Sequence, residues 1–198
     1  YEQEITLCPG ITVKFTEAGH LLGSASITVT VTEGGQTKTL VFSGDLGNVN
    51  RPLICDPGQP QQADYVVIES TYGNRLHGER PDYIAVLQQI LQTTFDRGGN
   101  VVIPSFAVGR TQELLYLIRE IKEKRLVSGH DNFPVYVDSP LAAEATGIYS
   151  GEMREYYDAE TLKLLDAGID PIRFPNLRIS VTSDESIAIN EDPTPKVI

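Results

Sequence analysis

Ala25-Ser26-Ile27-Thr28-Val29-Thr30-Val31-Thr32-Glu33-Gly34-Gly35-Gln36 sets the architecture of the first third of this chain. Ile27, Val29 and Val31 alternate with Thr28, Thr30 and Thr32, the period-two pattern of a β-strand. Glu33-Gly34-Gly35-Gln36 reads as a hairpin turn. Residues 37–43 then form the returning strand and residues 11–16 a further strand of the same sheet. With the turn centred between Gly34 and Gly35, antiparallel pairing sets Asp45 opposite Ser24 and brings His20 to the same open end. An imidazole and a carboxylate gathered at one strand edge, flanked by glycines that let the backbone turn tightly, can share a metal ion. A lone histidine is more often a hydrogen-bonded structural residue than a ligand. Two ligands do not complete a zinc site, which in enzymes takes three protein ligands. His77 and His130 both fall in polar loops and read as surface residues.

The 198 residues, 40% of them hydrophobic, suffice for one large domain or two small lobes. No apolar run approaches a membrane span, and Tyr1-Glu2-Gln3-Glu4 carries neither a basic segment nor an apolar signal, so nothing marks export. Cys8 and Cys55 form no CxxC pair. A zinc ribbon or disulfide framework is therefore not expected, and a cytoplasmic setting fits. A formal charge of -11 argues against a broad basic surface for nucleic acid. It leaves room for a narrow phosphate track along one strand.

After Ser43-Gly44-Asp45-Leu46-Gly47-Asn48 and a proline-bearing loop, Tyr65-Val66-Val67-Ile68 reads as a short buried strand. Beyond Arg75 the pattern becomes helical. Ile84, Leu87, Ile90 and Leu91 predict a helix from about Pro81 to Arg97, stopped by Gly98-Gly99. A strand over 100–104, a helix over 110–124 and a strand over 134–138 then compose a βαβ unit. Ser139-Pro140 starts another helix, 159–166 reads as one more, and 178–182 as a strand. The second lobe is thus α/β with a mostly parallel sheet. Lys196-Val197-Ile198 opens an apolar strand that stops abruptly, and both ends read as cut from a longer protein.

Residues 105–110 form a loop at the carboxyl end of a predicted strand and lead into a helix, where free amides and the helix dipole favour phosphate. Arg110 can add a forked charge-assisted contact, and Ser105 and Ser139, at successive strand ends, can add hydroxyls. The alternative is structural: Ser139 caps a helix and Arg110 pairs with Glu113 one turn on.

Five segments together resemble a known family. Ala18-Gly19-His20-Leu21-Leu22-Gly23-Ser24-Ala25, Phe42-Ser43-Gly44-Asp45-Leu46-Gly47 and Glu69-Ser70-Thr71-Tyr72-Gly73-Asn74-Arg75 look like consecutive motifs of metallo-β-lactamase-fold hydrolases that carry an inserted β-CASP domain. Ile103-Pro104-Ser105-Phe106-Ala107-Val108-Gly109-Arg110-Thr111-Gln112-Glu113 and Val137-Asp138-Ser139-Pro140-Leu141-Ala142 are similar to segments of that insertion. The resemblance implies a β-rich part of a metallo-β-lactamase fold over 1–76. A β-CASP lobe over 77–198 would follow, with a mostly parallel, Rossmann-like sheet truncated at its C-terminal end.

The resemblance also implies function. His20 matches a zinc ligand, and Asp45 matches the aspartate that bridges two zinc ions. Glu69 matches the acidic residue that opens the β-CASP set, where it orients a downstream histidine or handles a proton at the leaving oxygen. Its other reading is a strand-end carboxylate capping backbone amides. Two zinc ions so bridged would lower the pKa of a water and stabilise charge on a phosphodiester. The family's upstream HxHxDH motif and downstream histidines are absent from these residues, so the chain alone is expected to hold little zinc and to be inactive. The expected activity of the longer protein is cleavage of RNA, with DNA a lesser candidate, in a cleft between the lobes. A homodimer is a possible assembly, and no membrane partner is expected. The competing readings are a non-catalytic RNA-binding or scaffold member of the same fold and a small-molecule hydrolase of that fold.

Overall fold

In the computed structural model, which describes residues 1–60, 62–150 and 153–198, the glycine pair closes the expected hairpin. Gly34 and Gly35 have φ of 58° and 78°, the left-handed pair that a two-residue turn of matching twist requires. β1 (Glu4–Cys8), β2 (Ile11–Glu17), β3 (Ala25–Glu33), β4 (Gln36–Phe42) and β5 (Tyr65–Val67) form one sheet in that order. β1 to β4 are antiparallel, and β5 joins β4 in parallel. The β3–β4 register runs from Glu33↔Gln36 to Ile27↔Phe42, the register that the turn predicts, and the ladder ends three residues short of Ser24 and Asp45. β1 is an additional edge strand that the periodicity did not predict.

Burial in this sheet falls mostly on the hydroxyl-bearing side, with Val13 buried on the other face. Thr16, Ser26 and Thr28 are buried, whereas Phe15 and Phe42, in one row with Ile27, are 37% and 40% exposed. The loop after β4 lies over Thr16: the Gly58 amide donates to the Glu17 carbonyl, and a Cβ on Gly58 would stand 2.7 Å from Thr16 Cγ2. The expectation of a buried strand at Tyr65–Ile68 is corrected, since all four residues are more than half exposed. β5 is an edge strand hydrogen-bonded only to β4, so an apolar run here has one neighbour and no cover among the described residues. This unit comprises residues 1–78 and 155–159.

The second unit, residues 79–154 and 160–198, is α/β. α1 (Tyr83–Asp96) begins after Asp82, whose side chain accepts from the Ala85 amide at 3.0 Å, so Pro81 lies just outside the helix rather than in it. Its buried stripe is Leu87, Leu91 and Phe95; Ile90, expected inside, is 47% exposed. α2 (Arg110–Glu123) buries Leu115, Ile118 and Ile121 and packs on α1. β6 (Val135–Asp138), α3 (Pro140–Tyr149), α4 (Ala159–Asp166), β7 (Leu177–Ser180) and α5 (Ser183–Glu191) follow. β6 and β7 pair in parallel.

The strand expected over 100–104 is reduced to a bridge. Val101 pairs with Val197, and Val197 in turn pairs with Val135, all in parallel. Val197 therefore sits between Val101 and β6, so the expected βαβ strands are not neighbours. Pro104 has no amide to extend the ladder beyond the Ile103-to-Ile198 hydrogen bond of 2.8 Å. Among the described residues no helix is long and apolar enough to cross a membrane.

Candidate active site

The glycines on either side of His20, Gly19 and Gly23, take left-handed φ of 63° and 81°, and the loop they shape meets the loop after β4 backbone to backbone. Gly19 turns the chain out of β2, and its amide donates to Glu17 Oε1 at 2.8 Å. Ser24 Oγ accepts from the amides of both His20 and Leu21 at 3.1 Å, which ties the 18–24 loop closed. The loop after β4 then docks onto it. The Gly47 amide donates to the Ala18 carbonyl at 2.8 Å, and a Cβ on Gly47 would stand 1.6 Å from the Gly19 carbonyl oxygen. Only glycine allows that approach. Arg51 Nη1 holds the His20 carbonyl at 2.9 Å from the far side of the same loop.

This packing brings His20 Nε2 to 4.0 Å from Asp45 Oδ2, with His20 about 39% and Asp45 about 77% exposed. Both side chains point into the same solvent-facing space. Two zinc bonds of ~2.0–2.1 Å at a tetrahedral angle set their donor atoms roughly 3.3 Å apart, so the observed pair needs only a small closure to share an ion. Imidazole nitrogen and carboxylate oxygen are also the donor types zinc takes. The pair thus fits part of a zinc site, but among the described residues no third His, Cys, Asp or Glu completes a cluster.

Glu69 lies against Asp45 through the backbone. Its Oε1 accepts from the Leu46 amide at 2.6 Å, and its own amide donates to Ser43 Oγ at 3.0 Å. The Leu46 amide, then the Thr71 hydroxyl, and more weakly the nearby His20, hold its carboxyl below the ordinary glutamate range. It is ionised and fixes the residue that follows Asp45. His77 rests on the Tyr72 ring at 4.4 Å, and His130 binds Asp96 Oδ1 at 3.0 Å, so both are engaged elsewhere.

In the second unit, Ser105, Arg110 and Ser139 each make a local contact. Ser105 Oγ pairs with Thr111 Oγ1 at 2.8 Å, Arg110 Nη1 with Glu113 Oε2 at 2.8 Å, and Ser139 Oγ accepts from the Ala142 amide at 3.3 Å as the cap of α3. Ser105 and Ser139 nevertheless line one cavity of about 400 Å³ at the carboxyl end of β6, with an apolar floor from α2.

Three residues that sequence reasoning passed over shape these sites. Gly47 makes the loop contact above. Gln112, fully buried, accepts from the Gly109 amide at 2.7 Å and donates to the Ala107 carbonyl and Thr146 Oγ1, both at 3.0 Å. A glutamine three residues after the helix-capping glycine was a visible sign of this. Asp138 lines the cavity and accepts hydroxyl hydrogen bonds from Ser180 and Ser186.

Residues 111–198 match the Beta-Casp domain family. The chain is 36% identical over 190 residues to Ribonuclease TTHA0252 of Thermus thermophilus, covering 95% of this chain and 41% of that protein. It is 31% identical over 198 residues to an RNase J-like protein of Methanocaldococcus jannaschii, covering 98% and 43%. To Endoribonuclease YSH1 of Kluyveromyces lactis it is 29% identical over 177 residues, covering 87% and 23%. The chain therefore spans about two fifths of the length of the first two relatives.

Proposed function

We propose, from the match of residues 111–198 to the Beta-Casp domain family and the likeness to ribonucleases, that the chain is a segment of a zinc-dependent metallohydrolase that cleaves RNA phosphodiester bonds. Residues 1–76 are its partial metallo-β-lactamase-type domain and 77–198 its β-CASP domain, with the small parallel sheet as part of a Rossmann-like layer. The observation that carries the reading is the 4.0 Å approach of His20 Nε2 to Asp45 Oδ2 on loops locked together by Gly47. The relatives' names, ribonuclease and endoribonuclease, support RNA over DNA. The half-exposed Phe15 and Phe42 row fits a sheet that is one layer of a larger domain. Free Cys8 and Cys55 fit a cytoplasmic setting.

In this reading His20 and Asp45 would be metal ligands. Zinc, when bound, supplies a Lewis acid and lowers the pKa of a water. Glu69 is a positioning residue first: its ionised carboxylate holds the Leu46 amide and thereby the Asp45 loop. Ser105 and Ser139 line one cavity with their hydroxyls, and Arg110, 54% exposed at its side chain, can turn from Glu113 toward a substrate phosphate. The structural contacts of Arg110 and Ser139 support the second reading, in which these two residues only stabilise α2 and α3.

The test compares the full-length protein with its Asp45→Ala variant for zinc content and cleavage of labelled RNA. Losing that ligand should lower cleavage by more than about 100-fold. Equal cleavage by the variant removes the mechanism. The 198-residue chain alone is expected to hold less than one zinc per molecule and to leave RNA intact.

A further inference from the structure

The end of the second unit opposite Ser139 has a different character. α2 finishes there, and the segments leading into β6 and β7 arrive there, enclosing a cavity of about 490 Å³. Its lining includes Arg119, Lys122, Arg125 and Arg173 against only Glu123 and Asp131, whereas the whole chain carries 16 basic and 27 acidic residues. A cationic hollow in an acidic protein is a local reversal of its field.

Part of that charge is neutralised within the cavity wall. Arg119 pairs with Glu123, and Arg173 stands 4.0 Å from Asp170. Lys122 and Arg125 are different. Lys122 Nζ donates to the Phe133 carbonyl at 2.7 Å and lies 3.9 Å above the Phe133 ring, with no carboxylate in ion-pair contact among the described residues. Arg125 occupies the left-handed position just past the α2 cap, φ 51°, where glycine is the residue without strain, and projects an exposed guanidinium. Beside them Phe174 offers a ring face and Ile169 an apolar wall.

We propose that this cavity is a second RNA-binding site, taking one phosphate of a single strand between Lys122 and Arg125 and an adjoining base against Phe174. The pairing of cations that carry no carboxylate partner with an aromatic face is the chemistry by which single strands are held without sequence preference. The cavity is large enough for a nucleotide. It lies at the amino ends of β6 and β7, away from Ser105 and Ser139, so it holds a flanking part of the strand and takes no part in bond cleavage. The proposal rests on the RNA reading above, yet it stands or falls by binding alone.

Lys122 supplies a readout of its own. Burial pushes its amine down to about 8, only partly opposed by Asp131; Arg119, Arg125 and Arg173 add positive charge around it, and Glu123 negative. A phosphate in contact would favour the charged form, raise that value and shield the amine.

The experiment uses the 198-residue chain and a fluorescein-labelled 12-nucleotide oligouridylate, with acylation of lysines by acetic anhydride at pH 7.5 read by peptide mass spectrometry. Saturating RNA should slow acylation of Lys122 several-fold while Lys14 and Lys38 are unaffected. Arg125→Glu should weaken RNA binding about tenfold and reduce the salt slope by about 0.7, the loss of one single-strand phosphate contact. Absence of RNA binding, an unchanged Lys122 rate, or an Arg125→Glu affinity equal to the parent would overturn the proposal. Equal protection by polyglutamate of the same charge would also overturn it, by showing a site for acidic peptide. Failure of zinc-dependent cleavage with this binding intact would sink the catalytic reading and leave the second site standing.

Discussion

Replacing Gly47 by alanine tests the geometry on which the candidate metal pair depends. The new Cβ would begin 1.6 Å from the Gly19 carbonyl oxygen and 2.7 Å from the His20 amide nitrogen. Since real Cβ atoms essentially never approach within 3.0 Å, the two loops must part by about 1.4 Å. Both contacts are to backbone, so no side-chain rotation relieves them. Gly47 lacks a left-handed φ, which makes the cost steric and not conformational. Overpacking costs about 1–3 kcal/mol, and loss of the Gly47-to-Ala18 hydrogen bond adds about 1 kcal/mol. At a denaturant slope of about 2 kcal/mol per molar, the first unit should lose about 1–2 M in urea midpoint. The Gly47 amide should also lose its protection from hydrogen exchange. Gly34→Asn is the control, because Gly34 has φ 58° with nothing within 4 Å of its Cβ site, and asparagine tolerates that conformation. In the full-length protein, Gly47→Ala should reduce zinc content, because His20 and Asp45 sit on the two loops that separate. A midpoint within 0.3 M of the parent, roughly the error of such measurements, together with unchanged Gly47 protection would refute the close approach.

Two further outcomes follow from buried polar groups. Gln112→Leu strands the buried Gly109 amide and frees the Ala107 carbonyl, while Thr146 keeps its bond to Ala142; a loss of about 2–3 kcal/mol is expected by urea denaturation, with faster exchange at Gly109. Thr28→Val should act in the opposite sense, because Thr28 Oγ1 is buried without a hydrogen-bond partner among the described residues, and its removal is expected to stabilise the first unit by about 1 kcal/mol in the same assay.

The parts of the fold that could be read from sequence are those where a local rule has one solution. A glycine pair between alternating segments fixes the turn, the turn fixes the register, and the register carries Asp45 toward Ser24 by counting alone. α1 and α2, of 14 residues each, show a helical spacing long enough to have one reading. β1 and α5 do not. Glu-Ile-Thr-Leu-Cys is short and exposed throughout, and α5 lacks a clear apolar stripe, although Thr182 and Glu185 form a reciprocal cap whose spacing was present to be seen. Tyr65–Ile68 marks a different limit. An apolar run reports that a strand can be buried, whereas burial itself depends on which other segments reach it, and none of the described ones does.

The same distinction governs the candidate site. Sequence periodicity places residues along an element, so it could bring His20 and Asp45 to one rim. It carries no information on what a loop backbone touches, which is why Gly47 looked like one more flexible turn residue when its missing side chain is what lets the two loops meet. Charge counting fails for the related reason that it averages over the surface. A total of -11 weighs against a broad basic surface, yet two stretches distant in sequence, residues 119–132 and 169–175, meet to set Lys122 and Arg125 beside Phe174. A strand of RNA responds to the field within about 10 Å of its phosphates and not to the sum, so an acidic protein with a local cationic hollow can hold part of a strand there. That combination favours a single path for the strand over diffuse adsorption, and it requires that raising salt weaken binding with a shallow slope set by few contacts.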